Sequence, residues 1–262
     1  MARIHPTALV EPGAQLDGDV EIGPYAIVGP QVRIGAATSI GAHAVISGRT
    51  TIGRGNRIFP HVALGGVPQD KKYGGEDTEL VIGDGNTIRE FCTFNLGTAQ
   101  GGGVTRFGSD NWVMAYAHVA HDCRVGDHCV IANAVTLAGH VQIGDWVVLG
   151  GLTALHQFVR VGSHAMAGGG TILLQDLPPF VICNGNPAAA HGLNSEGLKR
   201  RAFAPETIAA LRRAYKTIYK EGLTATGACE RIEQLADESP ACAAELRALA
   251  AFVRGSTRGI VR

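Results

Sequence analysis

The chain has 262 residues, with 23 basic and 23 acidic side chains, 36 glycines, 11 prolines and 45% hydrophobic residues. That much aliphatic surface excludes low-complexity disorder, and glycines without a three-residue period exclude collagen. Zero net charge argues against a nonspecific nucleic-acid binder, and no apolar run of eighteen residues predicts a membrane span.

Residues 1–6 carry no signal-peptide pattern, so the expected compartment is the cytoplasm. Cys92, Cys123, Cys129, Cys183, Cys229 and Cys242 form no CxxC pair and are expected as reduced thiols rather than zinc-finger ligands. Charge is unevenly divided. Residues 1–191 hold 11 basic and 15 acidic side chains, and residues 192–262 hold 12 and 8. The C-terminal excess of four positive charges points to an acidic partner for that part.

From Ile4, every sixth residue through Val10, Leu16, Ile22, Val28 and on to Leu64 is aliphatic. The phase returns at Ile82, Ile88 and Phe94, slips by one, and restarts at Phe107, running through Val113, Val119, Val125 and Ile131 to Leu173. Glycine often follows the aliphatic, as at Gly23, Gly35 and Gly144, and a small or medium residue sits two before it. This predicts a short strand and a turn in every six residues, with glycine easing the corner. Three such sides make a prism with eighteen residues per coil and coils about 4.8 Å apart. The repeat is broken near 65–80 and 97–106, and such insertions form loops on the binding face of solenoids.

The period changes after about residue 190. Ile208, Leu211, Tyr215 and Ile218 follow helical spacing, with Pro205 at the start and Gly222 at the stop. Segments 224–237 and 239–253 read as two further helices, and the helical tail is expected to cover the open end of the solenoid. The predicted organisation is a β-solenoid over 1–190 and a helical domain over 191–262.

Four of the ten histidines, His118, His121, His140 and His156, lie within 39 residues. Eighteen-residue stacking sets His121 under Gly139 and Gln157, and Asp122 under His140. His118 and His156 flank inward aliphatics and should point outward, while His121 and His140 fall at turns. Surface histidines would explain any one of these, but core packing cannot explain the cluster. Imidazole suits a general base at neutral pH, and the Gly139 N–H is placed as an oxyanion donor. Asp122 stacks as near to His140 as to His121. A zinc site on His121 and His140 is the rival reading, as in hexapeptide-repeat carbonic anhydrases.

Residues 117–123 (AHVAHDC), 136–141 (TLAGHV), 156–158 (HQF), 175–179 (QDLPP), 197–201 (GLKRR) and 256–259 (STRG) resemble the UDP-N-acetylglucosamine O-acyltransferase family of hexapeptide-repeat acyltransferases, essentially end to end. The resemblance implies a left-handed parallel β-helix followed by a helical domain, and a cytoplasmic homotrimer with active sites between subunits. It implies transfer of an (R)-3-hydroxyacyl chain from acyl carrier protein to the glucosamine 3-hydroxyl of UDP-N-acetylglucosamine, opening lipid A biosynthesis, with no cofactor and no metal. On the matching positions it makes His121 the general base, Asp122 its orienting partner and Gly139 the oxyanion donor. Asp70 and Lys72 become acceptor-binding groups, and His118, His140, His156 and Gln157 become sugar, phosphate and thioester contacts. Asn194, Glu196, Arg200 and Arg201 become nucleotide contacts reached from a neighbouring subunit, and Gly169 limits acyl-chain length. The family commonly carries His-Arg where this chain has Asn95-Leu96, and can carry His at Pro187, so neither position is assigned a role. Arg212, Lys216 and Lys220 are four apart on one helix face and suit docking of the acidic carrier protein. A later-acting N-acyltransferase of the same pathway is disfavoured because the hexads begin at Ile4, leaving no room for a uridine-binding domain.

Overall fold

The computed structural model describes residues 1–262. Most strands are two residues long and carry one outward and one inward side chain, as in Glu21–Ile22, Arg33–Ile34 and Gln142–Ile143. Twenty-eight strands form three sheets of 11, 9 and 8, and within the coils each strand pairs with the third one along the chain. Glu21 sits on Arg3 and Ser39 on Glu21, so one coil takes eighteen residues. The result is a left-handed parallel β-helix whose stacked aliphatics fill the prism. Buried Asn56, Asn86 and Asn111 form an interior ladder in which each Oδ1 accepts the backbone N–H of the next coil.

Glycine works differently from the sequence expectation. The left-handed residue of each corner is the third after the aliphatic, and it is rarely glycine: Tyr25, His43, Tyr116, Asp122, His140 and Trp146 all have φ between 57° and 67°. The glycine directly after the aliphatic has no positive φ, except Gly65 where the first insertion begins. A Cβ on Gly41 would lie 2.6 Å from the Phe59 carbonyl carbon, and one on Gly35 2.7 Å from that of Gly53. Repeat glycines are therefore selected by close approach of the next coil, not by turn conformation. The second residue after the aliphatic often leaves its N–H unpaired by backbone, which is why Pro6, Pro12, Pro24, Pro30 and Pro60 fit there.

Two insertions interrupt the stack. Coil spacing rises to thirty residues between Arg57 and Thr87, and to twenty-five between Thr87 and Trp112, so the insertions add twelve and seven residues. The coils end in an antiparallel hairpin, Val181–Asn184 against Ala189–Leu193, which hexad counting does not predict. Helices α1 (Ser195–Arg200), α2 (Pro205–Tyr219), α3 (Ala225–Glu238) and α4 (Ala243–Arg254) follow. The expected continuous helix over 239–253 is corrected: Pro240 opens a 3₁₀ turn over Pro240–Cys242, and α4 starts only at Ala243. Tyr215 and Tyr219 of α2 pack on the solenoid core, together with Val261 of the tail, so the helices cover that end of the prism.

Candidate active site

His121 and Asp122 occupy a corner of the coil running beneath the second insertion. Asp122 takes the left-handed position, with φ of 60°, and this folds its side chain back toward its neighbour instead of to the opposite face. Asp122 Oδ2 accepts from His121 Nδ1 at 2.8 Å and from the Thr98 hydroxyl at 2.6 Å, while Oδ1 accepts the Thr98 N–H at 2.9 Å. The Asp122 N–H in turn donates to the Thr105 hydroxyl at 2.8 Å. The question left open by stacking is resolved toward His121, since His140 Nε2 stands 3.8 Å from the same oxygen. His121 and Asp122 are 7% and 5% exposed, covered by the 97–106 loop. A Cβ on Gly101 of that loop would overlap the Asp122 carboxylate, so glycine is required there.

With Nδ1 committed to a carboxylate, a neutral His121 carries its lone pair on Nε2. That edge faces Gly139, where a Cβ would come 2.6 Å from Nε2 and 2.5 Å from Cε1. The Gly139 N–H meets no backbone carbonyl or side chain. At another corner of the prism the equivalent N–H groups are capped by the next coil: Ser109 by Asp127, Asp127 by Asp145, and Asp145 by Ser163. The residue stacked beyond Gly139 is exposed Gln157, which offers it no cap, so the donor stands free beside the imidazole.

These groups open into a cleft of about 1110 Å³ whose walls include Asp70, Lys72, Gln100, Arg124, Gln142 and Gln157. His140 lines it too, stacked on Phe158 at 4.3 Å and edge-on to His121 at 5.1 Å. Burial lowers the pKa of His140, against the opposing pull of Asp122, and so favours the neutral imidazole. His118 is half-buried outside the cleft lining, with Nδ1 2.7 Å from the Thr93 hydroxyl; desolvation first, and then His121, lowers its pKa.

The structure brings Asp70, Lys72, His121, Asp122, Gly139, His140 and Gln157 together. His156 is exposed beside Gln157 and contacts Arg258. Asn194 is buried as the N-cap of α1, accepting from Gly197 N and donating to the His164 carbonyl. Glu196 pairs with Lys199, which lowers its pKa, and Arg200 is exposed. Arg201 lies over the Trp146 ring and donates to the Trp146 carbonyl at 2.9 Å. None of these four lines the cleft of its own chain. Gly169 is on a corner, where a Cβ would meet only the Gly151 carbonyl at 3.4 Å. Arg212 and Lys216 are exposed on α2, Lys220 is exposed as its C-cap, and none of the three makes an ion pair. Asn95 is 6% exposed and donates to the Val67 carbonyl at 3.1 Å, and its Oδ1 has no partner.

Sequence reasoning missed Thr98 and Thr105, the groups that anchor Asp122. Thr98 lies inside an insertion, where eighteen-residue stacking has no phase. His121, Asp122 and His140 also present ligand atoms within 4.8 Å of one another, a spacing able to hold a cation. The Asp122 oxygens, however, already accept three protein hydrogen bonds, and coordination would compete with them.

Residues 176–261 match the family model described as UDP N-acetylglucosamine O-acyltransferase, domain 2, and residues 105–139 match that of the bacterial transferase hexapeptide. An acyl-[acyl-carrier-protein]–UDP-N-acetylglucosamine O-acyltransferase of Thiobacillus denitrificans is 57% identical over 262 residues, covering all of both chains. The structure of LpxA from Acinetobacter baumannii superposes with a TM-score of 0.94 at 47% identity, covering 99% of each chain. That of UDP-N-acetylglucosamine O-acyltransferase from Moraxella catarrhalis gives 0.96 at 42% identity, again covering 99% of each.

Proposed function

Because the chain belongs to the UDP-N-acetylglucosamine O-acyltransferase family, we propose that it transfers an (R)-3-hydroxyacyl group from acyl carrier protein to the 3-hydroxyl of UDP-N-acetylglucosamine, with His121 as general base. The observation that carries this reading is the His121–Asp122 pair, with Nε2 facing an uncapped glycine N–H. The sugar hydroxyl gives its proton to Nε2 as its oxygen attacks the thioester carbonyl carbon. Charge then develops on the carbonyl oxygen, and the Gly139 N–H donates to it. The tetrahedral adduct collapses, the carbon–sulfur bond breaks, and the imidazolium returns the proton to the departing thiolate. Asp122 holds the Nδ1 proton and steadies the imidazolium, as in other His–carboxylate pairs.

Lys72 and Asp70 reach the acceptor from the first insertion, and neutral His140 donates or accepts a hydrogen bond without adding charge. The protein acts as a homotrimer in the cytoplasm. Asn194, Glu196, Arg200 and Arg201 stand away from their own cleft, which supports their serving a neighbour's site. Six buried free cysteines suit a reducing compartment. The exposed, unpaired cations of α2 support docking of an acidic carrier.

The test is His121→Ala assayed with acyl carrier protein donors of several chain lengths. Turnover is expected to fall by about two orders of magnitude or more. Near-parent turnover would remove His121 from the mechanism.

A further inference from the structure

The C-terminal segment after α4 returns to the solenoid and lies along it. The Asp176 N–H donates to the Gly259 carbonyl at 3.0 Å, and the Val261 N–H to the Asp176 carbonyl at 2.9 Å. Arg160 Nη1 holds the Gly255 carbonyl at 2.7 Å, and its guanidinium lies over the Phe252 ring. These backbone anchors deliver one side chain to the edge of the site. Arg258 Nη2 stands 3.1 Å from His156 Nδ1 and 3.5 Å from the Leu174 carbonyl. Arg258 makes no ion pair, and its Nε is buried with no partner.

Guanidinium has five N–H donors and no acceptor. A contact between Arg258 and His156 Nδ1 is a hydrogen bond only if Nδ1 bears the lone pair, which leaves the proton on Nε2. A second neighbour pulls the other way. The Gln157 carbonyl lies 3.2 Å from the same Nδ1 and can only accept, so it would place the proton on Nδ1. The two bonds exclude each other. A cationic donor forms the stronger one, roughly twice a neutral bond.

We infer that Arg258 is a positioning residue that holds His156 in the Nε2–H tautomer, so that His156 offers a donor to an acceptor oxygen of the substrate bound beside Gln157. No protein group meets Nε2, and His156 is exposed. The substrate half of this rests on His156 being a substrate contact, as in the proposed function. The tautomer half stands on the local geometry alone. A tail more than eighty residues along the chain from Leu174 thereby sets the polarity of a site imidazole.

The test compares the full-length parent with Arg258→Met and Arg258→Lys. Methionine keeps the aliphatic stem without a donor, lysine restores a cationic donor, and the tail's backbone bonds are untouched in both. Nitrogen-15 spectra of the imidazoles, recorded where His156 is neutral, are expected to show Nε2–H in the parent, Nδ1–H in Arg258→Met, and Nε2–H again in Arg258→Lys. In parallel, kcat/KM should fall about five- to tenfold in Arg258→Met, the worth of one hydrogen bond, and recover in Arg258→Lys. An Nδ1–H parent, or a methionine variant with the parent's spectrum, overturns the inference. A switched tautomer with unchanged kcat/KM overturns only its substrate half, by removing His156 from the contacts. Loss of activity in His121→Ala bears on the general base and not on this contact.

Discussion

A hydrogen atom in place of a side chain at residue 139 lets the His121 imidazole lie flat against the next coil. A methyl group there would come 2.5 Å from Cε1, well inside contact distance, and the ring would have to move. Gly139→Ala is therefore expected to cost about a hundredfold in kcat, the order set by a misplacement of an ångström. Gly151→Ala is the matched control, because its Cβ would meet only the Asn133 carbonyl at 3.4 Å, and steady-state assays should find it active. Gly169 has similar room, so Gly169→Met should fold normally and shift donor preference to shorter acyl chains in a chain-length panel. At this scale the imidazole cluster was legible, because stacking by eighteen brings 121, 139 and 157 into one column. The Asp122–His121 bond was implied by the family resemblance but not by stacking. It needs a left-handed aspartate, and hexad counting, which assigned turn conformation to glycine, pointed to the wrong residues for it.

Among the elements, α2 carries two faces with different duties. Ile208, Leu211, Ala214 and Ile218 are buried, while Arg212, Arg213, Lys216 and Lys220 project outward with no acid paired to them. Charge reversal at Arg212 and Lys216 should raise KM for acyl carrier protein and leave KM for the nucleotide sugar unchanged. The parent's KM for the carrier should also rise with ionic strength more steeply than the variant's. Periodicity alone located this helix, because its two faces repeat every three to four residues. It missed the hairpin that closes the coils, where Val181–Asn184 turns antiparallel and the hexad ends without a new periodic signal. The insertions were visible as gaps, but the hydrogen bonds of Thr98 were not, since a loop's contacts are set by the coil it covers.

For the whole molecule, the junction between solenoid and helices holds a half-buried titratable group. His164 stacks between Trp146 and Phe180, with Phe203 edge-on. Desolvation, and then the nearby Arg201, push its pKa from the ordinary 6.5 down to about 4. The unfolded chain thus takes up a proton near pH 6.5 that the folded chain refuses until about pH 4. Stability is full above that window and falls as pH drops through it. Melting temperatures of His164→Phe should decline less than the parent's between pH 6.5 and 4. The three-sided solenoid was plain from the sequence because one physical rule, an inward aliphatic every sixth residue, recurs in every coil. This junction obeys no repeat, and only the packed structure reveals it.

The helical cover lies at the C-terminal end of the stack, and translation runs toward that end. Each coil leaves the ribosome after the one it pairs with, so every new strand finds its template already formed, at roughly one coil every one to four seconds. The growing edge stays open, with unpaired backbone groups, until α2 and the returning tail arrive. Until they do, the nascent chain can pair through that edge with a neighbouring copy. The segment after α4 closes that edge, and the same segment carries the Arg258 that contacts His156.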